Sequence, residues 1–218
     1  MTTIQSGIGL NNSLIVVGGK SNAFISYNIL KNQYNRIFYY SDREYDRDVF
    51  KNFGFDLIDN FDEVIEFIKL NNYFIACGGY EQRESFFRLI YSKTRRLPVN
   101  AIHNGAKFES NVKIGYGNLI NFGCFINNNT TIGNLNILNT YSVIEHDNKI
   151  GDLNHIAPRV TTTGFVCIGD RNEIYTGTTI IPFTTLGDDI KIGAGSVVIN
   201  HNISQPGLYV GVPIKKVK

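Results

Sequence analysis

Two of the chain's four histidines carry its clearest chemistry. His146 stands in Asn139-Thr140-Tyr141-Ser142-Val143-Ile144-Glu145-His146-Asp147, an imidazole between two carboxylates. His155 follows nine residues on, in Gly151-Asp152-Leu153-Asn154-His155. Near pH 7 a neutral imidazole can take a proton from an attacking amine or hydroxyl. A carboxylate beside it fixes the tautomer and raises its basicity, and either Glu145 or Asp147 could serve. A zinc site would need three histidines in neighbouring segments, but His103 and His201 lie far from the central pair in sequence, so no metal is expected. Cys77, Cys124 and Cys167 are far apart and odd in number, which fits neither a disulfide framework nor a zinc box.

The elements that must position these groups change character near Pro98. Before it, apolar runs at 14–17 (LIVV), 36–40 (RIFYY) and 73–77 (YFIAC) alternate with helical patterns at 23–30, 62–70 and 81–93. That alternation predicts a Rossmann-like α/β unit with a parallel sheet over 1–98. Ligands of such sheets bind beyond the carboxyl ends of the strands. Here those ends are Gly18, Lys20, Ser21 and Asn22, then Ser41 and Asp42, then Gly78 and Gly79. The first turn lacks the G-x-G-x-x-G spacing of a dinucleotide site, so its glycine pair reads equally well as a tight turn packing helix on strand.

After Pro98 the chain repeats. Stepping by six from Ile102 to Val198, sixteen of seventeen positions are apolar and only Thr162 breaks the series. Glycine follows the apolar residue at 115, 133, 151, 169 and 187, an 18-residue spacing. Small or β-branched residues precede it by two, as at Cys124, Thr130, Ser142, Val160, Val166, Thr178, Thr184 and Ser196. A period of six inside a period of eighteen describes a three-sided coil of short parallel strands. The apolar residue points inward, and Gly or Asn turns each corner. Of the chain's 26 asparagines, 11 fall between 101 and 150, as many tight corners would require. The coil is expected over 99–203, with 204–218 as a tail.

Composition removes other classes. The 218 residues are 43% hydrophobic and 18% charged, with 21 basic and 19 acidic side chains scattered along the chain. Disorder and a clustered nucleic-acid surface are excluded, and no apolar run could span a bilayer. The start, MTTIQSGIGLNN, lacks the basic and apolar regions of a signal peptide, so a cytoplasmic protein is expected.

The coil's [Ile/Val/Leu]-Gly-x-x-x-x repeat resembles the hexapeptide-repeat acyltransferases, whose coils form a left-handed parallel β-helix. The order of the whole chain is similar to one branch of them: an α/β half, the link Ile102-His103-Asn104-Gly105-Ala106, the coil, and a terminal Gly211-Val212-Pro213. That branch comprises nucleotide-amino-sugar N-acetyltransferases and sialic acid O-acetyltransferases. The resemblance implies an acetyl-CoA-dependent N-acetyltransferase of a nucleotide-linked 4-amino-4,6-dideoxy sugar, in the synthesis of bacterial surface glycans such as O-antigen or capsule. O-acetylation of sialic acid or another sugar is the alternative, and a non-catalytic scaffold is the third. It implies His146 as base with Asp147 beside it, and His155 near the thioester of acetyl-CoA. Gly164 would offer its N–H to the thioester oxygen, and Thr176 and Ala194 would hold the pantetheine arm. Lys215, Lys216 and Lys218 could meet the CoA phosphates or simply be solvated. The α/β turns would hold the sugar nucleotide, although Asn22 stands where the family places a histidine. A homotrimer with active sites between subunits is implied as well.

Overall fold

The computed structural model describes residues 12–199 and 201–217. The reading of a missing signal segment over 1–11, and Lys218, lie outside the described residues. Among them, no helix is long and apolar enough to cross a membrane.

The first unit is built as its alternating pattern requires. Strands β1 (Ser13–Val17), β2 (Arg36–Tyr40), β3 (Asp56–Leu57) and β4 (Asn72–Ile75) form one parallel sheet in the order β3-β2-β1-β4. Helices α1 (Lys20–Leu30), α2 (Arg47–Phe53), α3 (Phe61–Leu70) and α4 (Tyr80–Thr94) cover it. Leu14 to Val17 are fully buried, as the central strand of a two-sided parallel sheet must be. The sequence pattern omits α2 and β3. Helix α2 has seven residues and starts on a side-chain cap, the Asp46 carboxylate accepting from the Asp48 and Val49 amides. An element that short carries too little hydrophobic period to register.

From Ala101 the chain winds as a triangular coil. A first face stacks Ala101–Ile102, Leu119–Ile120, Ile137–Leu138, His155–Ile156, Glu173–Ile174 and Ile190–Ile192. A second stacks Lys107–Phe108, Phe125–Ile126, Val143–Ile144, Thr161–Thr162, Thr179–Ile180 and Val197–Val198. The third runs from Lys113–Ile114 to Asn202–Ile203. The hexad residues fill the prism: Ile120, Ile126, Leu138, Ile144, Ile156, Ile174, Ile180 and Ile192 are all fully buried. Thr162, the one polar member, is buried too and accepts a 2.7 Å hydrogen bond from the Asn148 amide.

The corners differ from expectation. Left-handed residues recur every six from Asn111 to Gly195, but they include Leu135, Tyr141, Leu153, Arg159, Phe165 and Phe183 besides Gly and Asn. The coil's stacking therefore overrides the usual cost of that backbone for large side chains. The repeated glycines serve another need. A Cβ on Gly133 would lie 2.6 Å from the Gly151 carbonyl oxygen, so glycine is required by the approach of the next rung.

Buried asparagines satisfy the third corner. Asn118, Asn136 and Asn154 each accept from the backbone N–H eighteen residues on and donate to the carbonyls of Gly133, Gly151 and Gly169. The ladder ends where the period shortens: Leu186 pairs Ile203 and Ile192 pairs Tyr209, one residue early, and the Asn172 amide nitrogen has no partner. The segment read as a tail still joins the first face. Gly207–Val210 pairs in parallel with Ile190–Ile192, and Lys215–Lys216 closes the sheet as an antiparallel strand. Asn154→Ala should orphan a buried donor and a buried acceptor, lowering unfolding free energy by on the order of 3 kcal/mol in denaturant titrations.

Candidate active site

The second corner carries His146. The left-handed turn at Asp147 (φ 57) sets its carboxylate beside the imidazole, and Asp147 Oδ2 accepts from His146 Nδ1 at 2.8 Å. Glu145 is engaged elsewhere, accepting from the Asn127 amide at 2.6 Å. Asp147 is therefore the orienting carboxylate. That hydrogen bond, helped by Asn129, holds its carboxyl below the usual carboxylate range. With a proton on Nδ1, the lone pair lies on Nε2, where a general base needs it.

Gly164 sits one rung further on, eighteen residues after His146. A Cβ there would lie 2.6 Å from His146 Cε1 and 2.7 Å from Nε2, so the imidazole occupies the space that any other residue would fill. Phe165 meets the ring edge-on at 5.3 Å and stacks in turn on Phe183 at 5.1 Å. Among the described residues no acceptor takes the Gly164 N–H.

His155 lies on the first face, and in a three-sided prism that face is opposite the second corner. One chain therefore cannot bring His146 and His155 together. His155 Nε2 accepts from the Asn139 amide at 3.0 Å, and Asn139 itself accepts from Asn121 at 2.7 Å. Burial, reinforced by the Arg83 charge and opposed by Glu173, pushes the His155 pKa down. Thr176 and Ala194 are exposed at the first corner, the other end of the second face from His146. Lys215 and Lys216 are exposed on the last edge strand. No group of three His, Cys, Asp or Glu among the described residues could hold a metal ion.

At the carboxyl edge of the α/β sheet, a cavity of about 610 Å³ is lined by Lys20 and Ser41. Ser21 is exposed on the first turn of α1. Asn22 reaches the second turn, its amide nitrogen 3.7 Å from where a Cβ on Gly78 would stand. Asp42 accepts from Gln82 at 3.2 Å, and a Cβ on Gly79 would meet nothing within 4 Å. Gly18 is different: its φ is 68 and a Cβ would strike Cys77 Sγ at 2.4 Å, so it packs the turn and does not line the cavity. Arg43, Glu44, Tyr45 and Gln82 line the cavity without having been singled out from sequence. The polar run after β2 was the available signal. The Tyr45 hydroxyl, in the wall of this cavity, is buried with no protein partner.

Arg83 ties the two units together. It is 1% exposed, and its guanidinium donates to four backbone carbonyls: Cys77 and Gly78 in the α/β turn, and Leu135 and Leu153 at the third corner of the coil. Burial without a carboxylate partner pulls its pKa down to about 10.

Neither a protein-family model nor a curated protein sequence matches the chain. Solved structures do. PerB of Caulobacter crescentus, crystallised with CoA and GDP-perosamine, has a TM-score of 0.85 and 26% identity over 95% of this chain and 98% of that one. A variant of the GDP-perosamine N-acetyl transferase from the same organism, with a histidine replaced by alanine, gives 0.86 at 25% over the same shares. The acetyltransferase domain of PglB from Neisseria gonorrhoeae, solved with acetyl coenzyme A, gives 0.83 at 23% over 95% and 100%. The fold is thus that of the left-handed β-helix sugar N-acetyltransferases, with an N-terminal βαβ region.

The lowered His155 pKa has a sign that can be tested. The unfolded chain binds a proton there below about pH 6.5, which the folded chain resists, so stability falls on acidification. Urea unfolding between about pH 8 and 5 should show that loss, and His155→Gln should flatten it. An identical slope in the variant would mean that another group is responsible.

Proposed function

We propose that this chain is an acetyl-CoA-dependent N-acetyltransferase acting on the amino group of a nucleotide-linked 4-amino-4,6-dideoxy sugar, in the synthesis of a bacterial surface glycan in the cytoplasm. The observation that carries this reading is the His146–Asp147 dyad, with space made by Gly164, on a chain that matches the Caulobacter enzyme over nearly its whole length. The Caulobacter enzyme is an N-acetyl transferase, which favours N- over O-acetylation. The α/β unit, 1–98, would hold the sugar nucleotide at Lys20, Ser41 and Asn22, and the coil would hold acetyl-CoA.

The chemistry follows from the dyad. The sugar amine attacks the thioester carbonyl carbon, and as its nitrogen becomes cationic, His146 Nε2 takes the proton. Asp147 stabilises the imidazolium that forms. Negative charge grows on the thioester oxygen, for which the unclaimed Gly164 N–H is a donor. Collapse breaks the C–S bond, and the CoA thiolate leaves and is protonated.

A second copy that completes this site would pack through the second face. The α/β unit covers the lower first face, where Ala101, Leu119 and Ile137 join its core. The third face presents Lys113, Thr131, Lys149 and Thr185 to solvent. The second face turns Phe125, Val143 and Val197 outward, with exposed Phe122 and Tyr141 at one corner and Phe165 and Phe183 at the other. Packing three copies through this face sets the His146 corner of one chain against the Thr176 and Ala194 corner of the next. It also brings the next chain's first face, with its His155, round to the same groove.

Free-thiol release from acetyl-CoA with a panel of nucleotide amino sugars tests the activity, and no turnover with any amino sugar would defeat it. His146→Ala should cost on the order of 10²–10⁴ in kcat with the KM for acetyl-CoA nearly unchanged, and Asp147→Asn should cost less. Gly78→Val, whose Cβ would meet only the Asn22 amide at 3.7 Å, and Asn22→Ala should raise the KM for the sugar nucleotide alone. Equal damage to both KM values would contradict the division between the two units. Sedimentation should give a trimer for the wild type and a monomer of low activity for Val143→Arg.

A further inference from the structure

We infer that Asn129 is the positioning residue of the His146–Asp147 dyad, held in turn by Asn111. The inference rests on the reading of that dyad as the catalytic base. Asn111, Asn129 and Asp147 occupy the same left-handed corner position on three successive rungs, with φ of 61, 60 and 57. Stacking aligns their side chains into a directed chain of hydrogen bonds. Asn111 Nδ2 donates to Asn129 Oδ1 at 3.2 Å, and Asn129 Nδ2 donates to Asp147 Oδ1 at 3.2 Å. Asp147 Oδ2 then accepts from His146 Nδ1 at 2.8 Å.

The direction is fixed by chemistry. An ionised carboxylate only accepts, so Asn129 must present its NH₂ to Asp147 and its carbonyl oxygen to Asn111. Each carboxylate oxygen then has one partner, and the group is held from both sides. Nothing else nearby can replace the amide. The next rung offers the imidazole only Gly164 and the Phe165 ring, and Glu145 is turned to Asn127. Without Asn129, the Asp147 carboxylate is free to rotate into solvent, and His146 loses the acceptor that keeps its proton on Nδ1. The ring then spreads over both tautomers, and in one of them Nε2 carries a proton and cannot act as base.

The corner backbone allows a clean test. Asn, Asp and Gly all tolerate the left-handed region, so Asn129→Asp and Asn129→Gly keep the turn. Gly removes the donor without adding charge, and a residue needed only for the turn would survive that change; Asp keeps the shape but sets a second carboxylate against Asp147, which should deepen the loss. Two measurements on the full-length protein decide. Steady-state kinetics should show kcat reduced about tenfold in Asn129→Gly and further in Asn129→Asp, with both KM values within about twofold of wild type. Nitrogen-15 spectra of the histidine rings, at a pH where they are neutral, should show His146 passing from the Nδ1–H form to a mixture. Asn111→Gly should give a weaker version of the same change. Wild-type kcat and a retained Nδ1–H tautomer in Asn129→Gly would overturn the inference, as would a fall in Tm with no change in kcat. Should the wild type acetylate no nucleotide amino sugar, the functional reading falls while the ring spectra still decide the relay.

Discussion

Up to its last rung the coil obeys one constraint: each residue lies directly above the one eighteen positions before it, at the spacing of hydrogen-bonded strands. At a separation of about 4.8 Å, two side chains in the same column either fit each other or exclude each other. Ile stacks on Ile inside the prism, and asparagine stacks on asparagine up to Asn172, where the ladder ends. Glycine stacks on glycine where carbonyls come too close for a Cβ. The His146 imidazole obeys the same rule. His146 can lie along its corner because the residue one rung later is Gly164, and its carboxylate is steadied by the residue one rung earlier. The geometry of the proposed dyad is thus a local solution to the packing problem that the whole coil solves.

A second dependence joins the two units. Arg83 loses hydration on burial and recovers it only through carbonyls that belong to both the α/β turn and the coil corner. Separating the units would break its bonds to Leu135 and Leu153, so Arg83 fastens the turn proposed to hold the nucleotide to the rung that leads into His155. A carboxylate partner would have neutralised the guanidinium within one unit. Four carbonyls from two units make the charge a fastener between them.

The periodic parts were legible because their physics is periodic. The hexad from Ile102 to Val198 marks the prism interior rung by rung, and the alternating pattern marks three of the four sheet strands. Corners were misread in detail, since Leu135, Tyr141 and Phe165 adopt a backbone that isolated propensities assign to Gly and Asn. Their cost is met by stacking, which a one-dimensional reading does not weigh. Helix α2 and the cavity residues Arg43, Glu44 and Tyr45 escaped because neither has a period. The dyad was visible as adjacent residues, whereas the choice of Asp147 over Glu145 was not. That choice depends on where each carboxylate points: Asn127 draws Glu145 away, and the left-handed turn at Asp147 sets its carboxylate beside His146.

A coil of stacked strands has two open ends, and each is an edge on which another chain could continue the stack. The upper end is closed by three features already described. The last rung is one residue short, so its column positions no longer match a fresh coil laid on top. The chain then reverses, and an antiparallel strand takes the hydrogen bonds that a parallel newcomer would need. That strand is Lys215–Lys216, with both side chains exposed on the outermost edge. Two like charges at the tip would repel the same tip of another copy. The exposed lysines of this strand therefore work against extension of the first face by another copy, and need no ligand to do so.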